Sequence, residues 1–367
     1  NYRIIEIMNK KIKIAGAGIS GLTAAINLAK SGYEVEIYDS AKDSGQRFNG
    51  DFQGIENWSY KQDALEFLKD INIEPNFDYW GVDKLSLWAP DGCHKDFQLS
   101  RPLYYLVRRG TESDCLDQAL KEQAINSGVK IFYNHSVKAS EVDIVATGPN
   151  FNNFEIDGFV SGITFDTDAE DSNIGIMNDG YAPGGYSYFL SWNGKATLAV
   201  CIFKNYKKLN EYRDKTLEYF KKYKEFKMEN VKKFSGTGNF FLPDTPKDRK
   251  IYIGEAGGFQ DYLWGFGMRY AMTSGYYATK SIIERKDFYK ICRKKLFPRM
   301  KTSVVNRFIY AMVGNRTYKW LIGKYSKRVA DPIKLARKAY NSTIIRKILF
   351  PLVKIIYKKH ISDPRNL

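Results

Sequence analysis

Six residues, Gly16-Ala17-Gly18-Ile19-Ser20-Gly21, constrain this chain more than any other stretch. They follow a short β-rich run at 11–15 (KIKIA) and open a segment whose apolar positions Leu22, Ala25, Ile26 and Leu28 fit a helix ended by Gly32. A second β-rich run at 33–38 ends at Asp39. Strand, glycine loop, helix, strand and acid make a βαβ unit of about 30 residues. In such a unit Gly16 permits the tight turn, Gly18 lets the backbone approach a pyrophosphate, and Gly21 allows close helix–strand packing. The helix N-terminus offers free N–H groups and partial positive charge to phosphates. Asp39 stands where a carboxylate accepts hydrogen bonds from an adenosine ribose. The plainer alternative is a glycine-rich turn in an ordinary α/β protein.

The sheet implied by that unit resumes later. Residues 111–127 read as a helix, 129–133 and 142–147 as strands, and 251–254 as one more buried strand before a glycine-rich loop and a helix over 267–283. Between them, 79–107 and 158–203 are β-patterned and aromatic, and 209–226 reads as a charged helix. The expected fold class is α/β: a Rossmann-like nucleotide-binding domain (8–75, 105–150 and 245–284), a β-rich substrate domain inserted into it (76–104 and 151–244), and a helical basic C-terminal region (285–367). Residues 1–7, before Met8, read as an upstream extension and are set aside.

Of 367 residues, 44% are hydrophobic, enough for a sizeable core, so disorder is excluded for most of the chain. Charge is unevenly spread. Residues 285–367 hold 23 of the 57 basic and 3 of the 41 acidic side chains, a net +20, which leaves −4 for the rest. Cys93, Cys115, Cys201 and Cys292 lie far apart, and His94, His135 and His360 share no motif, which argues against a disulfide framework, a metal site or a Ser–His–Asp arrangement. A reducing, cytoplasmic setting is expected. No apolar run approaches the roughly 18 residues of a membrane span, and the N-terminus lacks the pattern of a secretion signal.

A second constellation distinguishes the nucleotide. Ile253-Gly254-Glu255-Ala256-Gly257-Gly258-Phe259 is followed by Leu263-Trp264-Gly265-Phe266-Gly267-Met268-Arg269-Tyr270-Ala271-Met272. This resembles the C-terminal flavin motif of the p-hydroxybenzoate hydroxylase-like FAD superfamily, most closely its geranylgeranyl reductase branch. The resemblance spans roughly residues 11–283 and implies bound FAD. It implies that Glu255, where the family usually has Asp, holds the ribityl chain, and that Gly265 and Gly267 place a helix N-terminus near the flavin N1 and O2. Val145-Ala146-Thr147-Gly148 is similar to the family's Ala-Thr-Gly turn near the nucleotide. Leu106-Val107-Arg108-Arg109, with Leu116-Asp117-Gln118-Ala119-Leu120, is similar to its arginine-then-helix element, and Arg47 lies where a pyrophosphate contact is often supplied. Surface charge is the plainer reading for Arg47, Arg108 and Arg109.

The stretch from Tyr181 to Trp192 (YAPGGYSYFLSW) is similar to the Pro-Gly-Gly-Tyr-x-Trp-x-Phe-Pro segment that lines the isoprenoid cavity in geranylgeranyl reductases. Tyr188 replaces Trp, and Leu190-Ser191 replace Phe-Pro. The resemblance places Tyr186, Tyr188 and Trp192 on an apolar small-molecule or lipid substrate; an ordinary aromatic sheet core is the alternative. The family's cysteine before a glycine-rich turn is missing from residues 44–54, where Asp51 and, a little further on, Glu56 and Trp58 are candidate lining residues. The implied activity is FAD-dependent reduction of C=C bonds in an isoprenoid or related lipid. The electron donor, NAD(P)H or ferredoxin, and the catalytic residues are left open. The alternatives are a hydroxylase-type flavin monooxygenase and a non-catalytic membrane-attached flavoprotein.

Near the C-terminus, Ile344, Ile345, Ile348, Leu349, Leu352, Val353 and Ile356 fall on one helical face flanked by Arg346, Lys347, Lys354, Lys358 and Lys359. Pro351 is expected to kink this helix or start a second one. A cationic amphipathic helix suits an anionic membrane surface, and packing on the body is the equal alternative. Nucleic acid is a poorer partner because no binding fold accompanies the charge.

Overall fold

A computed structural model describes residues 11–149, 156–239, 250–325 and 332–361. Its strands are β1 (Lys11–Ala15), β2 (Glu34–Tyr38), β3 (Phe52–Glu56), β4 (Tyr79–Val82), β5 (Lys84–Trp88), β6 (His94–Gln98), β7 (Tyr104–Arg108), β8 (Lys130–Phe132), β9 (Ile144–Val145), β10 (Ile156–Asp166), β11 (Ser172–Ile176), β12 (Tyr186–Trp192), β13 (Lys195–Ile202), β14 (Glu229–Asn239) and β15 (Ile251–Tyr252). Its α-helices are α1 (Ile19–Lys30), α2 (Ala64–Asp70), α3 (Leu116–Asn126), α4 (Leu209–Tyr223), α5 (Met268–Ile283), α6 (Phe288–Lys295), α7 (Phe297–Met312), α8 (Asn315–Trp320), α9 (Pro332–Ala339) and α10 (Ile344–Ile361).

A parallel sheet of order β15-β9-β1-β2-β8 carries the nucleotide loop at the end of its central strand. Ile14, Ile37 and Ile144 are fully buried within it, as a sheet covered by helices requires. Helix α5 crosses α1 closely because Gly275 lies against the Ser20 carbonyl; a Cβ there would sit 2.5 Å from that oxygen. The C-terminal glycine motif is thereby clamped to the first glycine loop.

A seven-stranded sheet, β14-β10-β13-β12-β11-β5-β6, is antiparallel except where β11 pairs with β5. A third sheet, β3-β7-β4, is antiparallel throughout. Alternation along β12 separates two cores. Tyr188, Leu190 and Trp192 join an aromatic cluster with Phe52, Trp58, Tyr104 and Leu263, whereas Phe189 packs with Phe165 and Phe220 under α4.

Three expected elements shift. The strand expected at 142–147 narrows to β9, although Asp143 N–H and Ala146 N–H still donate to the Lys13 and Ala15 carbonyls at 2.9 and 2.7 Å; Gly148, at φ 74°, then turns the chain away. The helix expected from 111 starts at Leu116, because residues 112–115 close a turn first, with Cys115 N–H donating to the Glu112 carbonyl. Of the two outcomes expected at Pro351, a second helix does not start there: α10 runs through it.

The basic C-terminal region is part of the body. Cys292, Leu296, Phe297, Met300 and Val305 belong to the core under the parallel sheet, and Tyr310, Tyr318 and Tyr340 complete the aromatic cluster. Helix α10 packs on α7 through buried Val353, half-buried Phe350, and an Arg346 hydrogen bond to Asn306 Oδ1. Its remaining apolar residues, Ile344, Ile345, Ile348, Leu349, Leu352, Ile355 and Ile356, are 36% to 74% exposed. One helix thus both docks on the body and presents an apolar face outward. Among the described residues no helix is long and apolar enough to cross a membrane.

Candidate functional site

The three glycines of the first loop have separable steric roles. Gly16 has φ +106°, and a Cβ on it would lie 2.3 Å from the Ala146 carbonyl oxygen. At Gly21 a Cβ would lie 2.0 Å from the Gly16 oxygen, so the helix sits on its own loop. Gly18 is different: its backbone (φ −81°, ψ 175°) suits any residue, and no protein atom lies within 4 Å of a Cβ built there. The space above the α1 N-terminus is open, as a pyrophosphate against free N–H groups requires. Asp39 accepts from Ala17 N–H at 2.6 Å and Ala41 N–H at 2.8 Å, so it braces the loop as well as standing at the end of β2.

The other predicted cofactor residues divide. Arg47, Gly148 and Glu255 converge: Arg47 Nη2 is 3.6 Å from Glu255, and Arg47 Nη1 is 3.9 Å from a Cβ built on Gly148. Thr147 is exposed beside them. Arg108 and Arg109 point in opposite directions, as neighbours at the end of a strand do. Arg108 is buried against Asp114 and Glu112. Arg109 makes a two-pronged pair with buried Asp117, 2.8 Å at each bond, reaches Gln53 Oε1 at 3.0 Å, and lies 4.0 Å over the Phe48 ring. Both arginines border the segment after β2, Arg109 at the Phe48 ring and Arg108 at Gly50, where a Cβ would lie 2.9 Å from its Nη2.

The second glycine motif abuts the aromatic cluster. Gly265 has φ +76°, and a Cβ on it would meet the Tyr186 hydroxyl at 4.0 Å; that hydroxyl donates to the Trp264 carbonyl. Gly267 caps the N-terminus of α5. The Phe266 ring packs edge-on against Trp58, with centroids 4.6 Å apart, and against Tyr104 at 5.5 Å. Tyr186 and Tyr188 are 6.1 Å apart, and Trp192 is 6.1 Å from Phe52. Burial drives the Tyr186 and Tyr188 hydroxyls well above the ordinary tyrosine range, so both stay protonated donors.

Two buried carboxyls stand out: Asp51, expected only to line the pocket, and Asp261, which no motif singles out. Asp51 is almost wholly buried at the start of β3; its Oδ2 accepts from Gln53 at 3.0 Å, and Oδ1 has no partner among the described residues. Desolvation raises it to about 7, against the pull of Arg109. Asp261, in the loop before α5, accepts from Trp264 N–H at 2.7 Å and from the Tyr340 hydroxyl at 2.9 Å, and burial raises it to about 6. Helix α7 secures both motifs: Arg307 donates to the Leu263 and Gly184 carbonyls, and Tyr310 to the Gly185 carbonyl at 2.7 Å. No local pattern in 285–367 announces these contacts. Among the described residues no cluster could hold a metal ion.

Residues 14–55 match the model of an NAD(P)-binding Rossmann-like domain. No curated protein matches the chain. Among solved structures, a geranylgeranyl bacteriochlorophyll reductase-like protein from Thermoplasma acidophilum superposes with TM-score 0.70 at 17% identity, covering 95% of this chain and 99% of that one. The p-nitrophenol 4-monooxygenase of Pseudomonas putida DLL-E4 gives 0.59 at 12% identity over 97% and 100%. A flavin-dependent halogenase gives 0.53 at 16% over 98% and 71%. Over nearly its whole length the chain has the same fold as the geranylgeranyl bacteriochlorophyll reductase-like protein, and it shares that fold more distantly with the monooxygenase and the halogenase.

Proposed function

We propose that the chain is an FAD-dependent oxidoreductase that reduces C=C bonds of an isoprenoid or related lipid. The observation that carries this reading is the junction at Gly265, where the turn before α5 meets the Tyr186 hydroxyl. A cofactor running from the open space at Gly18 toward that turn ends against an aromatic wall with few unsatisfied polar groups. The wall suits an elongated apolar ligand. Asp39, Arg47 and the three loop glycines would hold the adenosine and pyrophosphate, and Glu255 and Gly267 the flavin end. Bound flavin supplies two-electron chemistry. The protein's own part is to orient it, exclude water with the Tyr104, Phe266 and Tyr310 rings, and hold protons on Tyr186 and Tyr188. Anaerobic incubation of the flavin-loaded protein with a chemical reductant and a geranylgeranyl lipid should yield hydrogenated product. Turnover that needs oxygen and gives hydroxylated product would move the assignment to a monooxygenase, and absence of flavin reduction by any donor to a non-catalytic flavoprotein. Tyr188→Ala should lower lipid turnover ~10-fold or more while flavin content is kept, since the lost ring removes contact area from the wall alone.

The same reading places the enzyme on an anionic membrane. Exposed apolar side chains along α10 lie beside Arg346, Lys347 and Lys354, and the helix carries no acidic residue. Each basic residue near such a surface contributes on the order of 1 kcal/mol, screened by salt, and apolar insertion adds a salt-resistant part. Full-length protein should co-sediment with phosphatidylglycerol-containing vesicles better than with phosphatidylcholine ones, and less as salt rises. A chain ending at Asn341 should bind far less yet keep its flavin, because Tyr340 and its bond to Asp261 remain. Equal binding to both vesicle types would rule out the electrostatic part.

A further inference from the structure

A cavity of about 430 Å³ opens where the segment between β2 and β3 meets the β14 edge of the seven-stranded sheet, and of its lining the reading above uses only Arg47. Arg47 and Asn49 form one wall; Ser161 on β10, Arg213 on α4, and Lys233 and Phe234 on β14 form the other. Three of the lining residues are cations and none is a carboxylate. Two of the three cations are paired with carboxylates outside the lining: Glu255 is 3.6 Å from Arg47 Nη2, and Asp214 accepts from Arg213 Nε and Nη2 at 2.9 and 2.8 Å. Lys233 makes no ion pair among the described residues.

The walls are held in place. Arg213 is buried, and its Nη1 donates to Ser161 Oγ at 3.1 Å and Asn210 Oδ1 at 3.0 Å. Asn49 is left-handed at φ 54°; its side chain donates to the Lys233 carbonyl at 3.2 Å, and its own carbonyl accepts from Thr164 at 3.0 Å. The loop is thereby tied to both β10 and β14. The Phe234 ring lies against Gly162, where a Cβ would come within 2.3 Å of it, so the ring is pressed onto the sheet.

We propose that this cavity is a second nucleotide site that binds the phosphates of a pyridine dinucleotide. Lys233 meets the anionic charge, reinforced by Arg47, whose charge the flavin pyrophosphate shares; the Asn49 amide supplies a neutral donor, and Phe234 offers apolar surface to a ring. A phosphate on a lipid substrate is the other source of the same chemistry. The tyrosine wall on β12 lies ~14 Å away across β10 and β13, within reach of a long prenyl chain, so the prenyl diphosphate arm of the test below distinguishes the two sources. That the dinucleotide serves as the reductant rests on the proposed oxidoreductase reading; the phosphate site does not.

The test is calorimetric titration of the flavin-loaded full chain with NADP⁺, NAD⁺, inorganic diphosphate and geranylgeranyl diphosphate. Saturable dinucleotide binding is expected, weakened at least ~10-fold by Lys233→Glu and by raised salt, with flavin absorbance unchanged. Lys233 is exposed on an edge strand, so this variant should fold. Phe234→Ala should weaken the dinucleotides and leave inorganic diphosphate unaffected. Undiminished dinucleotide binding by Lys233→Glu, or no saturable binding of any probe, overturns the site. Binding of the prenyl diphosphate and of neither dinucleotide overturns the dinucleotide assignment. A purified chain that carries no flavin counts against the proposed function instead, so the two failures are separable.

Discussion

Protein carrying Gly18→Leu is expected to fold with the melting temperature of flavin-free wild type and to emerge from purification without flavin. The backbone at Gly18 is one any residue adopts, and no protein atom stands within 4 Å of the added Cβ. The new side chain therefore strains nothing in the fold and fills the space a pyrophosphate needs. Gly21→Ala should behave in the opposite way. Its Cβ would fall 2.0 Å from the Gly16 oxygen, so α1 must move off its loop, at a cost of about 1–3 kcal/mol in stability. Bound flavin per chain, read by absorbance, and thermal unfolding separate the two effects. Full flavin occupancy in Gly18→Leu would falsify the placement of the cofactor.

The second large effect concerns Asp51. Its carboxyl is raised to about 7 in the folded protein by burial, while the unfolded chain titrates near the ordinary aspartate value of about 3.9. Between these values the folded state keeps a proton that the unfolded state has released, so stability falls as pH rises through the window. The penalty is absent below about pH 4 and reaches on the order of 4 kcal/mol above pH 7. Asp51→Asn removes the titration while keeping the shape. Arg109, from the end of β7, and Tyr188, on β12, are the charged and titratable groups that act on Asp51, and both remain in the variant. The variant should gain stability over wild type progressively from pH 4 to pH 7 and hold a constant difference above pH 8. Guanidinium unfolding at pH 5 and pH 8 reads this directly, and an equal difference at the two values would show that Asp51 stays charged throughout.

The elements that were legible in the sequence are those whose cause is local. Gly16 and Gly21 must be glycine because of atoms in the loop itself and in the strand beside it, and the helix and strand around them follow from periodicities a few residues long. The aromatic run in β12 was readable for the same reason, since alternation alone sends Tyr188, Leu190 and Trp192 to one face. Where the sequence alone misplaced a boundary, as at residues 111–115 and 142–147, a turn or a two-residue ladder replaced regular structure at an element's end. Those choices depend on the partner strand.

Arg108 and Arg109 are adjacent and chemically alike, and nothing in their neighbourhood ranks them. The structure separates them because strand geometry sends one toward Asp114 and the other toward Asp117. Asp51 was legible only as a candidate lining residue and Asp261 not at all, because burial, which strips their water, is a property of the surrounding volume and not of neighbouring residues. The basic C-terminal stretch carries the same lesson. Its excess charge and the apolar stripe of α10 are visible in the chain, and its net +20 is fixed by composition alone. That Tyr310, Tyr318 and Tyr340 close the aromatic wall, and that Val353 turns inward while Ile345 turns outward, was decided by tertiary contacts, because burial is set by which distant segments meet.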